Sequence, residues 1–192
     1  MKKFKSLLIT TSLLSAFATN SFAAEEKYTI EPNHTSVVWS ANHFGFSNSS
    51  GKFNDIEGFI IFDEKNPQKS STEITIKTSG IVTGIAKFDD HLKSQDFFDV
   101  KNYQTAKFVS KKIVVSGKNK AKISGDLTIL NITKPVTLDV TFNKSGANPI
   151  NQKQSVGFSA TTSIMRSEFG IKYALPSVSD KVNLVIEVEA NR

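Results

Sequence analysis

Cysteine is absent from this chain. That excludes disulfide staples, thiolate catalysis, and zinc or iron–sulfur sites built on cysteine, so the fold must rest on its core alone. Arginine occurs only at 166 and 192, tryptophan only at 39, and histidine only at 34, 43 and 91. The histidines lack the close i, i+4 pairing of a zinc-binding helix, which argues against a metal site, and nothing else points to a cofactor. No G-x-S-x-G elbow is present to carry a nucleophilic serine. No apolar run reaches the roughly 18 residues that a membrane-spanning helix needs.

What is present begins with a leader. Lys2, Lys3 and Lys5 precede an uncharged, largely apolar run from Ser6 to Ala18, and Ser21 and Ala23 then stand at the −3 and −1 positions of a cleavage site. This arrangement predicts a signal peptide over residues 1–23, cleaved before Ala24, and an exported, soluble remainder without a stable membrane anchor. Residues 24–192 suit a single domain. Three of the 24 basic residues lie in the leader and all 18 acidic ones lie beyond it, so the remainder carries 21 against 18, a charge of +3. Lys52, Lys77, Lys101, Lys120 and Lys144 are scattered, so no basic stripe marks a nucleic-acid partner. Phenylalanine is abundant, at 15 residues, which implies a greasy interior, either filled or lining a cavity.

Period-two patterning dominates beyond the leader. Val37, Trp39, Ala41 and His43 alternate with Val38, Ser40, Asn42 and Phe44, and Val182, Leu184, Ile186 and Val188 form the clearest row. Further strands are expected at Ile74–Thr78 and Val136–Phe142, and over 53–62, 107–115, 121–130 and 156–162. Turn chemistry predicts loops at Asn48–Gly51, Asn66-Pro67, Ser116–Asn119 and Asn143–Pro149. Helical spacing of Ile85, Phe88 and Leu92 predicts one short helical excursion near 85–98, with Ser94 capping a second turn, and another irregular segment, expected to hold a short helical turn, spans 164–179. About eight antiparallel strands with one helix make an all-β sandwich or a closed barrel, between which periodicity does not choose.

Ordered motifs then resemble the YceI-like family of bacterial exported proteins. They include Tyr28–Pro32 with His34-Thr35, Gly51–Phe53, Asp90–Ser94, Asp96–Val100, Gly125–Ile129, Thr133–Leu138 and Arg166–Gly170, and they cover almost all of 28–188. The resemblance implies a lipocalin-like antiparallel eight-stranded barrel, a periplasmic location, and a polyisoprenoid or other long-chain amphiphilic lipid as partner. It also admits a homodimer. Glu31 stands where Asp is usual, Gln104 where Pro is common, and Asn131 where the family tends to have Gly, a turn position that Asn tolerates.

The candidate ligand-binding residues are Trp39, Ala41, His43, Phe88, His91, Leu92, Phe97, Phe98, Phe108 and Arg166. His43 extends an apolar row, as a polar contact for a lipid head or as a core histidine bonded to a carbonyl. His91 flanks the Phe88–Leu92 stripe, as a head-group contact or a helix-surface residue with a local hydrogen bond. His34 is expected to fix a turn. Arg166 either recognises an anionic group or pairs with Asp96, Asp99 or Glu168 to pin the irregular segment. Phe97, Phe98, Phe88, Phe108, Phe158 and Phe169 line a pocket or fill a core, and the pattern is the same in both cases. The reading is a lipid-binding protein and not an enzyme. Its rivals are an enzyme with His43 or His91 as general base, and a ligand-free structural domain.

Overall fold

The alternating rows pair with their chain neighbours, up and down, until the last meets the first. The computed structural model describes residues 26–192, so the leader and its cleavage site lie outside the described residues. The strands are β1 (Glu26–Ile30), β2 (Ser36–His43), β3 (Ser47–Phe53), β4 (Ile56–Phe62), β5 (Ser71–Lys77), β6 (Ile81–Val82), β7 (Thr105–Gly117), β8 (Lys120–Ile129), β9 (Ile132–Ala147), β10 (Gln154–Met165) and β11 (Val178–Asn191). One helix, α1 (Ala86–Lys93), follows β6. β1 and β2 both lie along β11, with Thr29 opposite Asn191 and Ala41 opposite Val182, so they are two halves of one strand. β4 likewise continues β3, and β6 continues β5. The result is an eight-stranded closed antiparallel barrel, which decides against the sandwich. Closure removes the free edges that so long a sheet would otherwise expose.

The three breaks have local causes. Pro32 has no N–H to give to a ladder, and the Glu31 carboxylate accepts from the His34 N–H at 2.8 Å and the His34 ring at 2.7 Å. His34 therefore fixes this turn. Burial pushes the Glu31 carboxyl up, but the bonds from His34 and Asn33 outweigh it and leave the group below its ordinary value. The other two breaks touch each other: Lys77 N–H donates to the Asp55 carbonyl at 2.9 Å.

Some boundaries differ from the sequence expectation. Asn48–Gly51 is not a loop but the middle of β3, and the turn falls earlier, at Phe44-Gly45-Phe46, where Asn42 Oδ1 accepts from the Gly45 N–H at 2.8 Å. Gly51 serves close packing under an aromatic ring, and a composition rule mistakes that for turn chemistry. Asn143–Ala147 stays in β9, because its ladder to β10 overrides weak strand propensity. The stretch 53–62 is split in two at Asn54-Asp55.

Other devices follow expectation. Leu130 (φ 50°) and Asn131 (φ 59°) are both left-handed and make the two-residue turn between β8 and β9, so Asn replaces the family's usual Gly there. After α1, the Ser94 Oγ accepts from the Asp96 N–H at 3.3 Å. The 164–179 segment contains one short helical turn, Arg166–Phe169. Among the described residues, no helix is long and apolar enough to cross a membrane.

Candidate functional site: an apolar passage through the barrel

Inward side chains leave space between them along the barrel. A cavity of about 460 Å³ lies at the end that carries α1, and one of about 740 Å³ lies towards the other end. Val37, Ile76, Leu127 and Leu184 belong to the walls of both, so the two lie end to end along the barrel interior. Well-packed interiors keep few voids larger than a water molecule. A passage of this size is therefore a built feature and not a packing fault.

The upper cavity collects nine of the ten candidate residues. Trp39, Ala41 and His43 form the inward row of β2. Phe88, His91 and Leu92 come from α1, and Phe97 and Phe98 from the turn that Ser94 caps. Edge-on aromatic contacts knit the two sources together: Trp39 meets Phe88 at 6.1 Å and Phe53 meets Phe98 at 5.3 Å between ring centroids. The indole N–H of Trp39 is buried with no acceptor, so this wall offers no polar partner even to its own donor. The tenth candidate, Phe108, lines the lower cavity instead.

His43 is not a core histidine. β2 ends with it, so the inward row runs out into the cavity mouth, where the ring is exposed and stands edge-on to Phe44 at 4.3 Å. His91 makes the expected local hydrogen bond and also lines the cavity. Its Nε2 lies 3.0 Å from Asp96 Oδ2 while its ring faces the cavity against Phe97 and Tyr173. Among the described residues, no three His, Asp or Glu side chains are grouped to hold a metal ion.

Arg166 is 5% exposed and lines the upper cavity, but its partners differ from the expected Asp96, Asp99 or Glu168. Nε donates to the Ser179 carbonyl at 3.0 Å, Nη1 to Ile171 at 3.2 Å and Nη2 to Val178 at 3.0 Å. Ile171 lies in the irregular segment and Val178 and Ser179 open β11, and one planar fork gathers their carbonyls. Burial lowers the Arg166 pKa, and the charge of Asp180 works against that shift. Burial raises Asp180 in turn, but hydrogen bonds from the Ser167 hydroxyl (2.6 Å) and N–H (2.8 Å), with the charge of Arg166, leave it below its ordinary value.

The lower cavity was largely missed by sequence reasoning. Phe62, Phe142 and Phe158 stack around it with centroids 5.5 Å apart, and of these the sequence marks only Phe158 as a pocket or core candidate. The available signal was the row Val136, Leu138, Val140 and Phe142, whose members all line it. Lys118, Asn119 and Lys120, from the β7–β8 turn, stand in its wall at that end. The passage thus provides van der Waals surface over its length and polar groups at both ends.

Comparison with known proteins agrees with this architecture. The family model described as the YceI-like domain matches residues 28–190. A UPF0312 protein of Pseudomonas putida strain W619 is 39% identical over 188 residues, covering 98% of this chain and 96% of the relative. The crystal structure of BcnA from Burkholderia cenocepacia superimposes with a TM-score of 0.76 at 25% identity, covering 84% of this chain and 99% of that one. A polyisoprenoid binding domain from Saccharophagus degradans has the same fold, with a TM-score of 0.67 at 9% identity over 85% of this chain and 97% of its own. On the evidence of its matched residues, its barrel and these relatives, the chain belongs to the YceI-like family.

Proposed function

We propose that this protein is a periplasmic carrier that holds a polyisoprenoid, or a similar long-chain amphiphilic lipid, inside its barrel. The observation that supports this best is a pair of apolar cavities lying end to end, with Val37, Ile76, Leu127 and Leu184 in the walls of both. Apolar space extended along the barrel in this way suits an elongated apolar chain better than a compact metabolite. Burial supplies the affinity. Each methylene removed from water contributes about 0.8 kcal/mol, so roughly ten of them match a typical association cost of 4–15 kcal/mol without a charged contact. Polar groups at the ends, His43 and His91 at one and Lys118 and Lys120 at the other, are placed to meet a head group. The Saccharophagus degradans domain of the same fold is a polyisoprenoid binding domain, which favours that lipid class here. The leader expected over residues 1–23 supports a periplasmic location.

The test is native mass spectrometry of the protein purified from its own periplasm. The expected spectrum shows the polypeptide from Ala24 onward with one lipid bound, unchanged in structure and released by organic solvent. Bare polypeptide alone, after gentle extraction, refutes the carrier.

A further inference from the structure

We propose that the α1 end of the barrel docks on a lipid bilayer, setting the cavity mouth against the surface from which its lipid is drawn. The proposal rests on the carrier reading and adds the partner that loads and unloads it. Four large apolar side chains stand exposed around this mouth: Phe44 and Phe46 on the β2–β3 turn, Ile85 at the start of α1, and Tyr173 beyond the turn at Arg166–Phe169. Phe46 is 92% exposed and Ile85 62%. Such a cluster is unusual on a soluble surface and marks an interaction site.

Their exposure is held in place by the fold. Phe44 sits in the left-handed region (φ 53°), a costly position for a bulky residue, and its N–H donates to the Ser177 carbonyl at 3.0 Å. The Phe46 N–H closes the turn on the His43 carbonyl at 3.0 Å. Tyr173 is packed edge-on against His91 of α1, so the three loops form one rim. Phe44 and Tyr173 also line the upper cavity, which makes the rim continuous with the passage. Phe46 and Ile85 do not line it, and project from the rim alone.

Charge agrees with a lipid surface. Lys87 and Lys172, beside Ile85 and Tyr173, are exposed and belong to none of the ion pairs among the described residues. Of the acids nearby, Asp89 is bound by Thr83 and Asp96 by His91, while Asp90 and Glu168 stay exposed. Apolar side chains flanked by unpaired lysines match the interface of a bilayer that contains anionic lipid. At the opposite end the exposed large apolar side chains are Ile150, Val114 and Val115, with no aromatic among them, and Lys118, Asn119 and Lys120 stand in the cavity wall there.

The experiment is flotation of the mature protein with vesicles of phosphatidylethanolamine and phosphatidylglycerol. The wild type should float. The Phe46→Ser/Ile85→Ser variant should float at least roughly tenfold less, and still carry its lipid by native mass spectrometry. Lys87→Glu/Lys172→Glu should lose about the same on these vesicles and little on vesicles of phosphatidylcholine alone. Wild-type protein that stays in the aqueous phase overturns the proposal, as does Phe46→Ser/Ile85→Ser floating undiminished. So does a wild-type dimer, seen by sedimentation velocity, that these changes dissociate while flotation is absent, because the rim would then serve a second copy. Flotation that depends on Phe46 and Ile85 in a protein that carries no lipid would uphold docking and refute the carrier.

Discussion

The indole of Trp39 lies across Gly51, its partner in the β2–β3 ladder, so closely that a β-carbon on Gly51 would stand 2.8 Å from Cζ2 and 2.9 Å from Cε2. The same β-carbon would also stand 2.8 Å from the Val82 carbonyl oxygen. Gly51→Ala must therefore drive the ring into the upper cavity or part β3 from β6. The expected cost is about 1–3 kcal/mol by denaturant unfolding. Because Trp39 is the chain's one tryptophan, its emission should shift in the folded variant. Unchanged stability and emission would mean that this contact does not hold the cavity wall.

Ala41 and Ala160 are small, buried, inward residues on the upper and lower walls respectively. Ala41→Phe should fill the upper cavity and abolish lipid co-purification while the barrel still folds. Ala160→Phe should shorten the passage from the other side, so that any lipid retained has a lower mass. If both sites were solid core, each change would instead overpack it, at roughly 1–3 kcal/mol and with no effect on lipid. Native mass spectrometry beside thermal unfolding separates the two outcomes.

Strands were readable here because inward and outward rows alternate cleanly, as at Val182–Val188, and the helix because Phe88 and Leu92 share one face. Closure was not readable from periodicity, since it depends on Thr29 meeting Asn191 from the far end of the chain. It entered through the resemblance to a family of barrels. Hollowness was equally hidden, because a row such as Val136–Phe142 looks the same around a cavity as in a filled core. Gly51 was misplaced into a turn because glycine serves both left-handed backbone and close approach to a ring, and composition does not distinguish them. The partners of Arg166 were beyond reach for another reason: they are main-chain carbonyls, which no residue type announces.

Arg166 gathers the carbonyls of Ile171, Val178 and Ser179, so it is the tie that shapes the loop closing one side of the upper cavity. Arg166→Ala leaves three acceptors without that donor and should cost about 2–4 kcal/mol in chemical denaturation. Arg166→Lys keeps the charge but not the planar fork, so it should recover less than half of the loss. Full recovery by lysine would show that charge, and not geometry, is what the loop requires.

Asp180 supplies a pH dependence to the same loop. Its carboxylate accepts from the Ser167 hydroxyl and N–H, and its pKa is lowered in the folded protein. A carboxyl with a depressed native pKa stabilises the fold in full above its ordinary value of about 3.9, where it is ionised in both states. Below that value the unfolded chain binds the proton first, so the contribution declines as pH falls towards the native pKa. Glu31 and Asp89 are lowered as well, Glu31 by the bonds from His34 and Asn33 that outweigh its burial, Asp89 chiefly by the Thr83 hydroxyl, and they act in the same direction. The melting temperature should therefore be flat from neutral pH to about 5 and fall steeply below about 4. Asp180→Asn should lower stability at neutral pH and flatten part of the acid limb, because the group that takes up the proton on unfolding is gone. An acid limb of unchanged slope in Asp180→Asn would assign the dependence to the other carboxylates and leave the Ser167 contact electrostatically neutral.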